Sequence, residues 1–159
     1  MNKIKKILAP TDLSELSKVG VRAALKMAAA QGAEVIVLHV IGYAEVNVHD
    51  EGFYSESLGA LLLKERKKFL EEFVRENFTD IFPQVTIRRE VVVGVPYKRI
   101  VEKAVGEEAE LIVMSTHGRT GLLHVLIGSV TEKVVQRSTC PVLSVRPVKE
   151  PKPAETVAG

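Results

Sequence analysis

Apolar and polar positions along the chain follow two alternating patterns. Five short β-rich runs are typical of strands. They are 5–10, 34–40, 85–94, 110–115 and 141–147. The runs 34–40 and 110–115 are nearly continuous and apolar, as expected of strands covered on both faces, whereas 85–94 alternates at first and then turns apolar. Between the five runs, four segments repeat apolar residues at helical spacing: 14–32, 55–78, 96–107 and 129–138. The resulting order, β-α-β-α-β-α-β-α-β, predicts an α/β fold with a parallel sheet and helices on both faces.

The segment 55–78 is predicted to be a long charged helix with one apolar stripe. The stripe consists of Leu58, Leu61, Leu62, Phe69, Phe73 and Val74. Parallel sheets bind ligands beyond the carboxyl ends of their strands, where the strand order reverses. The candidate functional segments are therefore those that follow the first four strands: 10–12, 40–42, 94–96 and 114–118.

The stretch MSTHGRTGLLHVLIGSV, residues 114–130, carries the most chemistry. Ser129 and Glu132 form a capping box, which predicts a helix start just after Gly128. The amides and the dipole of a helix N-terminus attract phosphate. Gly118 permits a tight bend, Arg119 is a candidate charged clamp and His117 a candidate donor. The alternative is that the glycines only shape a loop and that Ser129 only caps a helix.

Asp12 has two interpretations. With Glu15 it is a candidate cap of the first helix; otherwise it accepts hydrogen bonds from a ribose or a base. The P-loop and GxGxxG patterns are absent from the sequence, which disfavours a P-loop kinase and an ordinary dinucleotide dehydrogenase. No serine lies in a GxSxG elbow, and no nucleophile–base pair is visible.

The histidines do not predict a metal site. His39 lies inside a strand and is interpreted as a core histidine; His117 and His124 lack zinc-ligand spacing. A divalent cation would enter only on the phosphates of a nucleotide. A formal net charge of +2 disfavours nucleic acid or a membrane as the main partner. Cys140 is the single cysteine and the apolar runs are short, so we expect a cytoplasmic protein.

Several stretches together resemble the universal stress protein family. They are KKILAPTDLSELS, VIVLHV, GVP and ELIVMSTHGRTGLLHVLIGSVTEKVVQRSTCPVLSVRP, and the resemblance covers roughly residues 3–147. It implies a single-domain three-layer α/β/α fold, an open sheet of five parallel strands in the order 3-2-1-4-5, as in adenine nucleotide alpha hydrolase-like proteins. The domain would span 1–147 and be followed by a flexible tail, 148–159.

One branch of that family binds ATP through the motif G-x2-G-x9-G-[ST]. Here Ser115 replaces the first glycine, while Gly118, Gly128 and Ser129 match the rest. The resemblance implies that Gly118 and 128–130 (Gly, Ser and Val130) hold the phosphates and ribose. The adenosine end would be surrounded by Pro10, Thr11, Asp12, Val40 and Met114. The ligand would be ATP, ADP or AMP, with Mg²⁺ or Mn²⁺ on its phosphates and no metal ligand from the protein.

Members of the family also tend to dimerise through the last strand, which implies a homodimer paired along Pro141 to Pro147. The function so implied is a stress-response regulatory protein that binds ATP and hydrolyses it slowly or not at all. Two alternatives remain open from the residues. One is a nucleotide-free dimeric module in which Ser115 blocks the phosphate path, and the other is a weak ATP hydrolase using Asp12, His117 and Arg119.

Overall fold

A computed structural model describes residues 2–46, 56–119 and 126–147, with the backbone alone at 56–58 and 82. The elements are β1 (Lys6–Pro10), α1 (Lys18–Gln31), β2 (Glu34–Ile41), α2 (Glu56–Asn77), β3 (Thr86–Val93), α3 (Pro96–Gly106), β4 (Leu111–Ser115), α4 (Ser129–Arg137) and β5 (Val142–Val145). A 3₁₀ turn, Tyr43–Val46, follows β2, and another, Phe82–Gln84, precedes β3. The predicted tail at 148–159 lies outside the described residues.

The five strands form one sheet in the order β3-β2-β1-β4-β5, and every neighbouring pair is parallel. The predicted fold and strand order are therefore confirmed. The strand order reverses at β1: β2 and β3 lie on one side of it in the sheet, and β4 and β5 lie on the other. This reversal opens a crevice beyond the carboxyl ends of the central strands.

Alternating side chains of the strands divide the core into two layers. On one face, Ile7, Ala9 and Val37 pack with α1 and α2. On the other face, Leu8 and Leu38 pack with α3 and α4. We call the second face the α3/α4 face, because the candidate site lies on it. Among the described helices, none is long and apolar enough to cross a bilayer.

Two details of the helices differ from the sequence prediction. Helix α1 begins at Lys18 and not near residue 14, because Leu13 has a left-handed φ of 65° and the amide of Ser17 closes a turn onto the Ser14 carbonyl. The predicted stripe of α2 is confirmed at Leu62, Phe73 and Val74 and is wrong at Leu61 and Phe69, which are 63% and 44% exposed. The side chain of Leu58 lies outside the described residues. The buried positions of α2 include Leu70, Phe73 and Val74, because apolar residues lie on more than one side of this helix and only one side meets the sheet.

Candidate functional site

A cavity of about 250 Å³ opens beyond the carboxyl ends of β1, β2 and β4. This is slightly below the usual size of small-molecule pockets, roughly 300–1,000 Å³. All twelve residues singled out from the sequence line it: Pro10, Thr11, Asp12, Val40, Met114, Ser115, His117, Gly118, Arg119, Gly128, Ser129 and Val130. Their roles in binding stay predictions. Seven further residues line the cavity. Pro96 and Thr116 lie in the candidate segments 94–96 and 114–118 but were given no role, and the sequence did not single out Ser17, Leu38, Glu45, Ile100 or Thr131.

One end of the cavity is apolar. Leu38, Val40, Ile100 and Met114 belong to the core layer of the α3/α4 face and also line the cavity. Pro96, the first residue of α3, adds to this wall. Leu38 and Ile100 were missed because helical and strand periodicity assigns them simply to the core. Their closeness to the carboxyl ends of the strands is the sequence feature that would have identified them as candidate lining residues.

The backbone of Val40 faces this apolar end. Successive residues of a strand direct their backbone groups to opposite neighbours. The carbonyl of Leu38 accepts from the amide of Thr11 at 2.9 Å, on the β1 side, and the carbonyl of Ile41 accepts from Gly94 at 2.9 Å, on the β3 side. Val40 therefore faces the β1 side, where β1 has already ended at Pro10. Within the described part of the chain its N–H and C=O have no hydrogen-bond partner and border the cavity.

The other end of the cavity is the N-terminus of α4. The prediction that Ser129 caps this helix is wrong: Ser129 is its first helical residue, and the cap position belongs to Gly128, with ψ 156° and no side-chain cap. A Cβ on Gly128 would lie 3.0 Å from the Thr116 carbonyl, to which the Gly128 amide donates at 2.7 Å. The next amides, at 129–131, have no intrahelical acceptor and lie at the positive end of the helix dipole.

Asp12 ties the loop after β1 to the loop after β4. One carboxylate oxygen accepts from the amide of Ser14 at 3.0 Å and the other from the amide of Arg119 at 2.6 Å. The prediction that Asp12 caps α1 is therefore wrong, since α1 begins six residues later. A Cβ on Gly118 would lie 2.1 Å from the Asp12 carboxylate. A side chain at 118 would therefore have to displace the Asp12 carboxylate from the place where the two loops meet.

Glu45 brings a second carboxylate to the cavity, from the 3₁₀ turn after β2. It pairs with Arg66 of α2 at 2.7 Å and with Arg119 at 3.4 Å. Although desolvation raises the pKa of Glu45, the hydrogen bond from Arg66 and the charge of Arg119 outweigh it, so the net pKa is lowered. Two guanidinium groups thus share one carboxylate at the cavity wall. The sequence could not single out Glu45 because its partners are far away in the chain.

Ser115 does not use its hydroxyl to obstruct the helix α4 end of the cavity. It is buried, and its hydroxyl accepts from the amide of Gly20 in the first turn of α1, at 3.1 Å. Helix α1 packs on the face opposite α4, so this serine caps α1 from a neighbouring strand. Its carbonyl accepts from the hydroxyl of Thr131 at 2.9 Å, which fixes the start of α4 against β4.

The described histidines are engaged by the protein. His39 is fully buried and lies 3.0 Å from the carbonyl of Thr11 through Nδ1, as predicted for a core histidine. His117 is also buried, with Nδ1 2.8 Å from the hydroxyl of Thr116. Among the described residues, no group of three His, Cys, Asp or Glu side chains is placed to hold a metal ion. His49 and His124 lie outside those residues.

Comparison with known proteins identifies a family over almost the whole chain. The model of the universal stress protein family matches residues 3–146. Universal stress protein MJ0531 of Methanocaldococcus jannaschii is 39% identical, with 95% of this chain and 85% of that protein covered. Universal stress protein MJ0577 of the same organism is 35% identical over 89% of this chain and 94% of its own length.

Solved structures agree with this relationship. The structure of MJ0577 matches with a TM-score of 0.78 at 34% identity and covers 94% of this chain and 100% of that one. A universal stress protein solved in complex with cAMP matches with a TM-score of 0.65 at 25% identity, covering 91% of this chain and 98% of that one. The relatives thus share the fold over their full length, and one of them has been seen with an adenine nucleotide.

Proposed function

Because this chain belongs to the universal stress protein family, we propose that it binds an adenine nucleotide, ATP, in the cavity at the carboxyl ends of the strands. It then acts as a cytoplasmic stress-response regulator with slow or no hydrolysis. One observation carries the proposal: Val40, whose backbone N–H and C=O have no partner in the described part of the chain, and the N-terminus of α4 line the same cavity. The N–H and C=O of Val40 suit hydrogen bonds to a nucleotide base, and the amides at the N-terminus of α4 suit the binding of phosphates.

The apolar end fits the adenine. A purine ring is flat and apolar on its faces, and Leu38, Ile100 and Met114 supply matching surfaces. Along its edge, adenine carries an amino donor beside a ring-nitrogen acceptor. The adjacent C=O and N–H of Val40 form the complementary pair. Asp12 and Thr11, at the end of β1, border the position of the ribose.

The opposite end fits the phosphates. The amides at 129–131 supply donors, and the helix dipole favours negative charge. Gly118 lets the turn approach closely, and the side chain of Arg119, 47% exposed, is a nearby cation. In this proposal, Mg²⁺ or Mn²⁺ is carried by the phosphates. Asp12 and Glu45 already accept hydrogen bonds from the protein, so neither is held as a free metal ligand.

The hydrogen bonds and ion pairs of Asp12 and Glu45 support a regulatory role. Asp12 is bonded to two backbone amides, and Glu45 is paired with two arginines. A general base must instead be free to take a proton from water. Regulation through partner contacts also has a surface available: β5 is an edge strand, and Leu143 is 40% exposed on it. A symmetric homodimer paired along this edge is part of the proposal.

Isothermal titration of ligand-stripped protein with ATP–Mg²⁺ tests the proposal. We expect saturable heat at submillimolar ATP and at least about tenfold weaker binding of GTP, a difference of about 1.4 kcal/mol. Phosphate release should be far slower than the roughly 1–10³ s⁻¹ of ordinary enzymes. An absence of heat at millimolar ATP would refute nucleotide binding, and turnover near 1 s⁻¹ would refute the regulatory role.

A further inference from the structure

His39 lies behind the cavity and has no place in the proposed binding of nucleotide. It is on β2, is fully buried and does not line the cavity. Its side chain is on the face of the sheet that packs against α2, where Arg66 meets its Nε2 at 3.3 Å. Its Nδ1 lies 3.0 Å from the carbonyl of Thr11. A buried ring that contacts the end of β1 raises the question of what it does there.

The His39 ring takes the place of the last backbone hydrogen bond that β1 and β2 would otherwise form. Pro10 is in register with Leu38, so Thr11 lies opposite His39. In a parallel ladder, a residue such as Thr11 donates to the residue before its partner and accepts from the residue after it. Thr11 does donate to Leu38, at 2.9 Å. The remaining bond would run from the Val40 amide to the Thr11 carbonyl, but that carbonyl accepts from His39 instead.

The orientation of the ring is fixed by its second neighbour. A guanidinium group only donates hydrogen bonds, so Nε2 of His39 accepts from Arg66 and Nδ1 carries the proton that goes to Thr11. Arg66 is itself held by Glu45 at 2.7 Å. Burial lowers the pKa of His39, and the charges of Arg119 and Arg66 lower it further, against the raising effect of the Thr11 carbonyl. The neutral ring with one donor and one acceptor is the form that this environment selects.

We propose that His39 is a positioning residue: by taking up the Thr11 carbonyl, it keeps the Val40 amide unpaired and facing the cavity. The amide is then available to the base of the bound nucleotide. This last step rests on the proposed function, whereas the state of the ladder does not. Without the ring, the buried carbonyl of Thr11 lacks a partner, and the nearest ladder donor is the amide of Val40.

Two substitutions separate positioning from general damage. His39→Leu removes the donor, while His39→Asn places an amide N–H close to the position of Nδ1. In His39→Leu we expect adenosine affinity to fall by at least about tenfold, equivalent to about 1.4 kcal/mol. Binding of inorganic tripolyphosphate, which uses only the α4 end, should stay within about twofold of the wild type. His39→Asn should restore most of the adenosine affinity.

Amide hydrogen exchange of the ligand-free protein tests the ladder directly. We expect the Val40 amide to exchange much faster than that of Leu38 in the wild type and in His39→Asn. In His39→Leu it should become protected. Equal protection of Val40 and Leu38 in the wild type, a measurement that needs no variant, would overturn the inference. So would equal losses of adenosine and tripolyphosphate binding in His39→Leu.

The two proposals fail differently. If the wild type binds neither adenosine nor tripolyphosphate, the proposed function is wrong, and the exchange of Val40 still decides the role of His39. If adenosine binds and Val40 is protected in the ligand-free wild type, the nucleotide site stands and the role given to His39 is wrong.

Discussion

The two ends of the sheet use polar groups in opposite ways. From the amino ends of β1 and β2 to the middle of β3, three cations and three carboxylates pair with one another across the strands and the C-terminal part of α3: Lys6, Arg88 and Lys103 with Glu34, Glu90 and Glu107. We call these six residues the charge cluster. At the carboxyl ends, the amides of Val40 and of residues 129–131 border a cavity and have no acceptor among the described residues. The proposed binding site therefore rests on polar groups that the fold leaves unpaired, and not on a concentration of charged residues.

The glycines near the cavity and near the charge cluster also differ in how closely they are packed. Gly118 and Gly128 are packed so closely against the loops of the cavity that a Cβ would lie 2.1 Å from Asp12 and 3.0 Å from Thr116, respectively. Gly106, at the end of α3 near the charge cluster, would place a Cβ in open space. Close backbone approach is confined, among these three, to the cavity end. Substitutions at the two ends should therefore differ in their effect on nucleotide binding.

The largest effect is expected for Gly118→Val. The new side chain overlaps the Asp12 carboxylate, so the hydrogen bond that joins Asp12 to the Arg119 amide is lost and the loop after β4 is no longer held against the loop after β1. ATP affinity should fall by at least about a hundredfold, equivalent to about 2.7 kcal/mol. Titration calorimetry measures it. Gly106→Ala is the matched control and should leave ATP affinity unchanged; wild-type affinity in Gly118→Val would show that this turn does not shape the site.

A smaller effect, on stability alone, is expected for Ser115→Ala. The substitution removes the acceptor of the Gly20 amide, a buried cap of α1. The free energy of unfolding should fall by about 1 kcal/mol, measured by urea unfolding. ATP affinity should stay within about twofold, because the hydroxyl is turned toward α1.

Ser129→Ala is the control for that experiment. Its side chain is exposed and does not cap α4, so stability should change by no more than about 0.5 kcal/mol. A loss of nucleotide binding in Ser115→Ala without a loss of stability would mean that Ser115 contacts the ligand and does not serve the fold.

The smallest effect at neutral pH is expected in the charge cluster. The hydrogen bond from Arg88 lowers the pKa of Glu107, with desolvation opposing and the charges of Arg88, Lys6 and Lys103 adding to it. A carboxyl with a lowered pKa in the folded protein stabilises it above its ordinary pKa, about 4.3, and loses that contribution as pH falls. Glu107→Gln should therefore flatten the loss of stability between about pH 5 and pH 3.

The same substitution should cost less than about 1 kcal/mol at pH 7, because these side chains are partly exposed to solvent. ATP binding should not change. Thermal unfolding followed across the acid range gives the slope. An unchanged acid slope would mean that Glu107 has no special role, and altered ATP binding would break the separation between the two ends of the sheet.

Much of the fold follows from local pattern. The strands at 34–40 and 110–115 are almost unbroken apolar runs, and Gly32 ends α1 with a φ of 67°. The general rule for parallel sheets then places Asp12, Val40 and Gly118 at one edge, although they are far apart in sequence. Local chemistry plus topology was enough to gather the candidate site.

What the sequence did not predict depends on spatial neighbours. Whether Ser129 or Gly128 takes the cap position of α4 is decided by the Thr116 carbonyl, which fixes the backbone just before the helix. The pairing of Glu45 with Arg66 and Arg119 joins three separate elements. The role proposed for His39 depends on strand register, which no local pattern contains.

Amide NMR of the full chain, titrated with ATP–Mg²⁺, tests the central claim most directly. We expect saturable shifts of the Val40 amide and of the amides at 129–131, at opposite ends of one cavity. Those of Lys103 and Glu107 in the charge cluster should stay unchanged. No saturable shift at millimolar ATP, or shifts confined to the charge cluster, would contradict a nucleotide site at the carboxyl ends of the strands.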